Sequence, residues 1–290
     1  MNHAVVTGAT GFVGAHLAVE LLSRGLKVTA LCRDGSPNLS RLPSEVDIIY
    51  SLNDIPPADV FYHLAWEGAS GALRTDAAVQ AFNAQFTVGT LKAAQTAGCK
   101  KYVALGTVYE RLTPQILASG KFGGSDFYVL SKRYACAMAD KLAYKLGVDF
   151  SWCRICHPIG KYIKPEQLMA YTVSNLISGS APSFGPASTL YDVAAVEDVA
   201  SGLYLAGEYG KRREYYIGSG APHILREYLE RTREILLTST PLHIGARPDD
   251  GLRFQREWFD ITPLTEDTGY APKVSFEEAV MNVKDWAEGF

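Results

Sequence analysis

The stretch AVVTGATGFVG at residues 4–14 decides the fold of this chain. It opens with short apolar residues and turns through three glycines, and Phe12, Leu17 and Leu21 then recur at near-helical spacing until Gly25. This pattern predicts a buried parallel strand, a tight turn and a helix whose N-terminus faces the turn. Backbone N–H groups and the positive end of the helix dipole meet there, which suits a pyrophosphate. The stretch therefore predicts dinucleotide binding, with an ordinary glycine-rich turn as the alternative.

The composition excludes several classes of protein. A chain of 290 residues can form one large or two smaller domains. A formal net charge of −3 gives no basis for nucleic-acid binding, and no apolar run reaches the length of a membrane span. The five cysteines are odd in number and scattered, so we expect a reduced, cytoplasmic protein. The N-terminus lacks a basic n-region and a small-residue cleavage site, so we expect no signal peptide.

Neither the cysteines nor the histidines predict a metal site. Cys153 and Cys156 form a single C-x-x-C inside a predicted strand, without a second pair or an adjoining helix start. The histidines lack metal-ligand spacing such as H-E-x-x-H. We therefore expect neither a metal nor a disulfide framework.

Strand-like and helix-like runs alternate through the first half, as in a doubly wound parallel sheet. The runs after the opening unit predict strands at 27–32, 46–50, 59–65, 101–107 and 149–155, and helices at 74–97 and 128–146. The second half is less regular, with predicted helices at 165–178, 196–208, 224–236 and 276–286 and a strand at 214–220. We expect an α/β fold with a Rossmann-type doubly wound parallel sheet and a smaller, discontinuous α/β substrate lobe. Residues 1–157 and 190–220 would form the dinucleotide-binding domain, and 158–189 and 221–290 the substrate-binding lobe.

The end of the second predicted strand indicates which dinucleotide binds. An acidic residue at this place favours NAD by binding the ribose hydroxyls, whereas an arginine accommodates the 2′-phosphate of NADP. Here Cys32 takes the place of the acid, and Arg33 follows with a guanidinium that suits a phosphate. We predict NADP, and NAD remains possible because Asp34 could still bind a ribose hydroxyl.

Tyr128 and Lys132 are the predicted chemical centre. They are four residues apart on a predicted helix, so their side chains share one face. A phenol with its ordinary pKa of about 10 exchanges protons poorly at neutral pH. A neighbouring lysine cation stabilises the phenolate, so we expect Lys132 to lower the pKa of Tyr128.

Several segments resemble the extended, sugar-nucleotide-modifying branch of the short-chain dehydrogenase/reductase superfamily, the NAD-dependent epimerase/dehydratase family. The G-x-x-G-x-x-G spacing after Thr7 and the YVLSK that holds Tyr128 are two of its motifs. The others are FYHLAWEG, RICHPIG, YDVAAVEDVA, YIGSG and RPDD, so the resemblance spans nearly the whole chain. Within the family, CRDGSPN, GCKKYVALGT and DTGYAPKVSFEEAV are most similar to nucleoside-diphosphate 4-keto-6-deoxyhexose reductases of the CDP-abequose and CDP-paratose synthase type.

This resemblance implies a set of site residues. The implied catalytic residues are Thr107, Tyr128 and Lys132. The implied cofactor-binding residues are Gly8, Thr10, Gly11, Phe12, Val13, Gly14, Arg33, Leu64, Ala65, Lys132 and Pro158. The implied substrate-binding residues are Trp66, His157, Phe184 and Arg247.

Three positions depart from the family pattern. Relatives often have two or three more residues between the catalytic hydroxyl and the next tyrosine, so Thr107 could instead be a structural turn residue. His157 stands where an asparagine is usual, and it either lines the cleft or caps a turn. Tyr191 stands where epimerases often have a phosphate-binding arginine.

The resemblance implies an NADPH-dependent reductase of a nucleotide-linked 4-keto-(6-deoxy)hexose, in which Tyr128 donates a proton and Thr107 holds the substrate oxygen. The alternative is an NAD-dependent sugar-nucleotide 4-epimerase. A dehydratase is disfavoured because Val108 and Tyr109 replace the usual Asp–Glu pair. A dihydroflavonol-type ketone reductase and a non-catalytic cofactor sensor are weaker alternatives. The family habit also implies a homodimer through the predicted helices that begin near residues 74 and 128.

Overall fold

The computed structural model describes residues 1–289. The strands in this range are β1 His3–Thr7, β2 Lys27–Leu31, β3 Asp47–Ile49, β4 Val60–His63, β5 Lys101–Thr107, β6 Asp149–Ile155, β7 His157–Ile159, β8 Ser183–Phe184, β9 Leu190–Tyr191, β10 Val193–Ala195, β11 Glu214–Tyr216, β12 His223–Ile224 and β13 His243–Ile244. The helices are α1 Phe12–Ser23, α2 Ala77–Thr96, α3 Thr113–Ser119, α4 Asp126–Leu146, α5 Leu168–Ile177, α6 Val196–Glu208, α7 Leu225–Ile235, α8 Thr262–Thr268 and α9 Phe276–Ala287.

Seven strands of the described chain form one parallel sheet in the order β11-β6-β5-β4-β1-β2-β3. Strand order reverses at β1, which pairs with β2 on one side and β4 on the other. Val5, for example, lies opposite Thr29 and Phe61. All four residues of β4 are buried, as expected for a central parallel strand covered on both faces. The predicted Rossmann-type α/β fold is confirmed, and its ligand-binding crevice lies beyond the carboxyl ends of β1 and β4.

Helices α2 and α4 pack together against the sheet. Small side chains, among them Ala84, Ala135 and Ala139, allow the close approach. Aromatic residues of β4, β5 and β6 complete this core, and the rings of Phe61 and Tyr102 stack at 5.5 Å. The packing fixes the N-terminal turns of α4, where Tyr128 and Lys132 lie.

The chain divides into two compact units. The first comprises Met1–Ile155, Ala200–Ile217 and Thr262–Tyr270, and the second Cys156–Val199, Gly218–Ile261 and the residues from Ala271 onward. These bounds differ from the expected ones at 156–157, 190–199, 218–220 and 262–270. Strand β10 pairs with β7 of the second unit, whereas α8 contacts β11 of the sheet, where the Tyr215 hydroxyl donates to Asp267 at 2.6 Å.

The second unit has three short two-stranded sheets, β10–β7, β12–β9 and β13–β8, within the described range. Helices α5, α7 and α9 pack around a core that includes Met169, Leu229 and Val283. The indole Nε1 of Trp286 donates to the carbonyl of Ile163 at 3.0 Å and ties α9 to the loop before α5. Across residues 1–289, no helix combines the length and the apolarity that a membrane crossing requires.

Candidate active site

The glycine turn joins β1 to α1 as the sequence predicts. Gly8 has φ +70°, and its carbonyl accepts from the Gly11 N–H at 2.9 Å. A Cβ at Gly8 would lie 2.7 Å from the Ala65 nitrogen, and one at Gly14 would overlap the Gly8 carbonyl oxygen. Gly11 is the N-cap of α1 and makes no side-chain cap. The N–H groups of the first turn therefore face a cradle, formed by the backbone of the glycine turn, in which no capping side chain occupies them. This cradle, with Phe12 and Val13 opening the helix, fits a pyrophosphate.

The loop after β2 lies against the glycine turn. The Thr10 hydroxyl contacts the Ser36 hydroxyl at 3.2 Å, and Arg41 Nη1 donates to the Thr10 carbonyl at 3.4 Å. The side chain of Arg33 is 80% exposed and lies 3.4 Å from a Glu67 oxygen. Ser36 and Arg41 were not among the predicted site residues, although both belong to the CRDGSPN-x-x-R run. Two guanidinium groups and a hydroxyl at this rim have the chemistry that binds a phosphate monoester.

A buried histidine fixes the end of β4 against β1. His63 contacts the hydroxyls of Thr7 at 2.9 Å and Thr87 at 3.0 Å, and burial lowers its pKa to about 3. The Leu64 N–H donates to the Thr7 carbonyl, and the Ala65 N–H to the Thr7 hydroxyl. The backbone of Leu64 and Ala65 is thereby held at the edge of the glycine turn, where the sequence placed it.

The three predicted catalytic residues lie together in the first unit. Tyr128 and Lys132 are buried near the start of α4, and Thr107, buried at the end of β5, is close enough to lower the pKa of Tyr128. The Lys132 ammonium donates to the Leu105 carbonyl at 2.6 Å and lies 3.8 Å from the ring centroid of Trp66. The Trp66 ring meets the Tyr128 ring edge-on at 6.2 Å, and its Nε1 donates to the Gln80 side chain.

Burial and nearby charges act on Tyr128 in opposite directions. Burial raises its pKa, and Arg74 and Thr107 act in the opposite direction. The Lys132 ammonium lies one helical turn further along α4 and donates to the Leu105 carbonyl. Burial lowers the pKa of Lys132 itself to about 7.

A buried carboxylate, absent from the sequence prediction, holds Thr107 in place. Glu110 accepts from the Thr107 N–H at 2.8 Å and from the Trp152 indole at 2.9 Å, and it pairs with Arg154 at 3.0 Å. The Thr107 hydroxyl in turn accepts from the Tyr109 N–H, and together these contacts form a capping box. The T-x-x-E spacing could have predicted it. All these donors engage the Glu110 carboxylate, so it is not free to act as an acid or base on a ligand.

Four predicted site residues belong to the second unit. Pro158 lies on β7 opposite Ala194 of β10. Burial lowers the pKa of His157 to about 4, and its buried Nε2 has no hydrogen-bond partner among the described residues. The rings of His157 and Tyr191 meet edge-on at 5.6 Å.

Phe184 and Arg247 share a cluster with Tyr171, which was not predicted. Arg247 Nη2 donates to the Tyr171 hydroxyl at 3.1 Å, and the Phe184 and Tyr171 rings meet edge-on at 5.9 Å. The Arg247 N–H also donates to the Phe184 carbonyl at 2.9 Å. The cluster combines aromatic faces with a guanidinium.

Four of the five cysteines are buried, and Cys156 is partly buried. Burial raises the pKa of Cys153 to about 12 and raises that of Cys156 further. In residues 1–289, no group of three or more His, Cys, Asp or Glu side chains could hold a metal ion.

Comparisons with known proteins agree with this geometry. Residues 4–218 match the family described as "NAD dependent epimerase/dehydratase family". A dTDP-glucose 4,6-dehydratase of Xanthomonas campestris pv. campestris is 22% identical over 322 aligned positions, covering 97% of this chain and 92% of the relative.

Solved structures share the fold along nearly the whole chain. A UDP-N-acetylglucosamine 4-epimerase from Methanobrevibacter ruminantium superposes with a TM-score of 0.84 at 19% identity, covering 99% of this chain and 98% of that one. A dTDP-glucose 4,6-dehydratase from Streptomyces venezuelae has a TM-score of 0.80 at 23% identity, covering 99% and 97%. These relatives are dehydratases and an epimerase, so the finer likeness to 4-keto-6-deoxyhexose reductases stays a prediction. The chain belongs to the NAD dependent epimerase/dehydratase family, whose members are NAD(P)-dependent enzymes of the extended short-chain dehydrogenase/reductase type.

Proposed function

We propose that the protein is an NADPH-dependent reductase of a nucleotide-linked 4-keto-(6-deoxy)hexose. The observation that carries this proposal is that Tyr128 and Lys132 are buried one helical turn apart on α4, with Thr107 at the carboxyl end of β5 close enough to lower the pKa of Tyr128. Dehydration would call for an additional acid–base pair beside the catalytic hydroxyl. The carboxylate nearest in sequence, Glu110, is instead engaged by Trp152 and Arg154.

The residues of the chain have separate tasks in this reaction. When bound, the reduced nicotinamide supplies the hydride. Tyr128 donates its phenolic proton to the oxygen of the ketone, and Thr107 donates a hydrogen bond to the same oxygen. Lys132 binds the nicotinamide ribose through its ammonium.

The rim of the glycine turn supports NADPH as the reductant. Arg33 and Arg41 offer guanidinium groups and Ser36 a hydroxyl to a 2′-phosphate, while Gly11 and Gly14 leave the first turn of α1 open to the pyrophosphate. A reductase consumes its cofactor at every turnover, which suits NADPH.

The second unit supports a nucleotide-linked substrate. The Phe184–Tyr171–Arg247 cluster joins aromatic faces, on which a base can stack, to a guanidinium that suits a diphosphate. The unpartnered Nε2 of His157 offers a further polar contact. We propose that these residues of the second unit bind the substrate.

An NAD-dependent sugar-nucleotide 4-epimerase is the second candidate. The fold is shared with a UDP-N-acetylglucosamine 4-epimerase along nearly the whole chain. An epimerase returns its cofactor to the starting redox state, so net consumption of NADPH distinguishes the two functions.

A substrate panel tests the proposal. NADPH absorbance is followed with 4-keto-6-deoxyhexoses linked to CDP, dTDP, GDP and UDP, and the matching 4-hydroxy sugars serve as controls. We expect stoichiometric NADPH oxidation with the keto sugar of one nucleotide and none with its 4-hydroxy partner. Conversion of the 4-hydroxy sugar to its epimer without net NADPH loss would refute the reductase and support the epimerase.

We also propose a homodimer through α2 and α4. These helices expose Phe82, Tyr134 and Met138, and such large apolar side chains on adjacent helices are typical of protein interfaces. Light scattering should give twice the mass of the chain, and Met138→Lys together with Phe82→Lys should give the monomer mass. A monomeric wild-type protein would refute the dimer.

A further inference from the structure

The ammonium of Lys132 lies over the face of an indole ring. Its Nζ is 3.8 Å from the ring centroid of Trp66, which follows the backbone of Leu64 and Ala65 after β4. The same nitrogen donates to the Leu105 carbonyl at 2.6 Å, and Lys132 is 5% exposed. A buried cation is thus in contact with an electron-rich ring and a carbonyl oxygen, and both contacts favour its charged form.

The indole of Trp66 is anchored on the side of its ring nitrogen. Its Nε1 donates to the side-chain oxygen of Gln80 at 2.8 Å, and Gln80 is fully buried on α2. The amide nitrogen of Gln80 donates in turn to the carbonyls of Gly68 at 3.1 Å and Leu73 at 2.9 Å. The ring also meets the Tyr128 ring edge-on at 6.2 Å. These contacts fix the ring, and with it the place where the ammonium is held.

Four titratable groups surround the Lys132 ammonium: Glu110 after β5, His63 at the end of β4, and Tyr128 and Cys136 on α4. Burial lowers the pKa of His63 to about 3 and raises the pKa of Cys136 and of Tyr128, so these three are neutral at pH 7. Glu110 favours the ammonium, but no ion pair joins the two side chains within residues 1–289. The charge is therefore compensated directly by the indole face and the β5 carbonyl.

We propose that Trp66 is a positioning residue, whose indole face holds the Lys132 ammonium charged and in place. Attraction between a cation and an aromatic face is strongest for tryptophan and increases where water is excluded. The inference deepens the proposed role of Lys132, which binds the nicotinamide ribose as an ammonium, and rests on that role. Burial already lowers the pKa of Lys132 to about 7, so loss of this contact would leave the amine mostly uncharged at pH 7.

The test weakens the ring face and leaves its shape nearly unchanged. Trp66 is replaced in the full-length protein by tetrafluorotryptophan, whose fluorines withdraw electron density from the ring face and keep the indole N–H. The pKa of Lys132 is read from the Cε NMR signal of protein labelled with carbon-13 lysine, and the signal is assigned by its absence in Lys132→Gln. The same replacement at Trp258, whose ring lies 6.1 Å from Phe254 in the second unit, is the matched control.

We expect tetrafluorotryptophan at position 66 to lower the pKa of Lys132 by about 1, the size of a cation–aromatic contact from which water is excluded. A monofluorinated tryptophan there should give an intermediate shift, which a disturbed loop would not produce. Tetrafluorotryptophan at position 152 should have a smaller effect, since the Trp152 centroid is 5.7 Å from Nζ, and at position 258 it should have none. An unchanged pKa at position 66, or an equal shift at position 258, would overturn the inference. The titration needs neither substrate nor turnover, so failure of the proposed reductase activity is detected separately by the NADPH panel.

Discussion

The buried carboxylate of Glu110, which accepts from the Thr107 N–H, gives a prediction whose size follows from the structure. Glu110 is 2% exposed, and its two oxygens accept from the Thr107 N–H, the Trp152 indole and the Arg154 guanidinium. Glu110→Gln keeps the shape, removes the charge and turns an NH₂ group toward these donors. Breaking a buried ion pair costs about 3–5 kcal/mol. Glu214 still pairs with Arg154 at 2.7 Å, so we expect a loss near the lower limit, about 3 kcal/mol.

Denaturant titration of the free energy of unfolding measures this loss. Glu214→Gln is the matched control, because it removes a carboxylate from the same arginine but at a side chain 43% exposed. We expect the control to cost about 1 kcal/mol or less. Once the substrate is known, Glu110→Gln should also lower kcat, since Thr107 loses the contact that orients it. Equal losses of unfolding free energy in the two variants would contradict the conclusion that Glu110 is the buried carboxylate that holds Thr107 in place.

Three further outcomes concern the cofactor and pH. Arg33→Ala combined with Arg41→Ala should weaken NADPH binding roughly 100-fold and NADH binding far less, since charge-assisted hydrogen bonds contribute about 1.5–3 kcal/mol each. Equal losses of NADPH and NADH affinity, measured by calorimetry, would contradict a 2′-phosphate site. Gly14→Ala should abolish binding of both cofactors and lower Tm, because the added Cβ would overlap a carbonyl oxygen. In the control Gly89→Ala the added Cβ meets nothing within 4 Å, so cofactor binding should stay unchanged and Tm should stay unchanged or rise slightly. The pKa of His157 falls from 6.5 to about 4 on folding, so its contribution to stability is complete above pH 6.5 and is lost as the pH falls toward 4. Between pH 6.5 and 4, His157→Asn should therefore reduce the slope of unfolding free energy against pH by about 1.4 kcal/mol per pH unit. An unchanged slope in denaturant titrations at several pH values would refute this role of His157.

The sheet could be predicted from the sequence because its signals are local. Apolar runs bounded by turn residues identified β1 to β6, and strands β5 and β6 have the predicted bounds. Helices α3 and α8 were not predicted, since seven residues each are too few to show a periodic apolar face. The unit boundaries differ from the predicted ones because β7 and β10 pair although they are distant in the sequence. No local sequence signal near either strand predicts this pairing.

The positions of the proposed site residues could be predicted where spacing encodes them, whereas contacts that the fold alone creates could not. Tyr128 and Lys132 share a helix face, and Thr107 ends a strand, so sequence positions suffice. Arg74 reaches Tyr128 from a loop 54 positions away, and a single arginine carries no spacing signal. The hydrogen bond from the Lys132 ammonium to the Leu105 carbonyl joins residues 27 positions apart, and no spacing in the sequence predicts it.

The most direct test of the account is the Tyr128→Phe variant, assayed for reduction of the keto sugar that the panel identifies and for NADPH affinity by fluorescence titration. The phenol is proposed as the proton donor and the dinucleotide is held by other residues. We therefore expect kcat to fall by at least about 100-fold while the Kd for NADPH stays within the error of the measurement. Full turnover by this variant would contradict the central claim that Tyr128 delivers the proton.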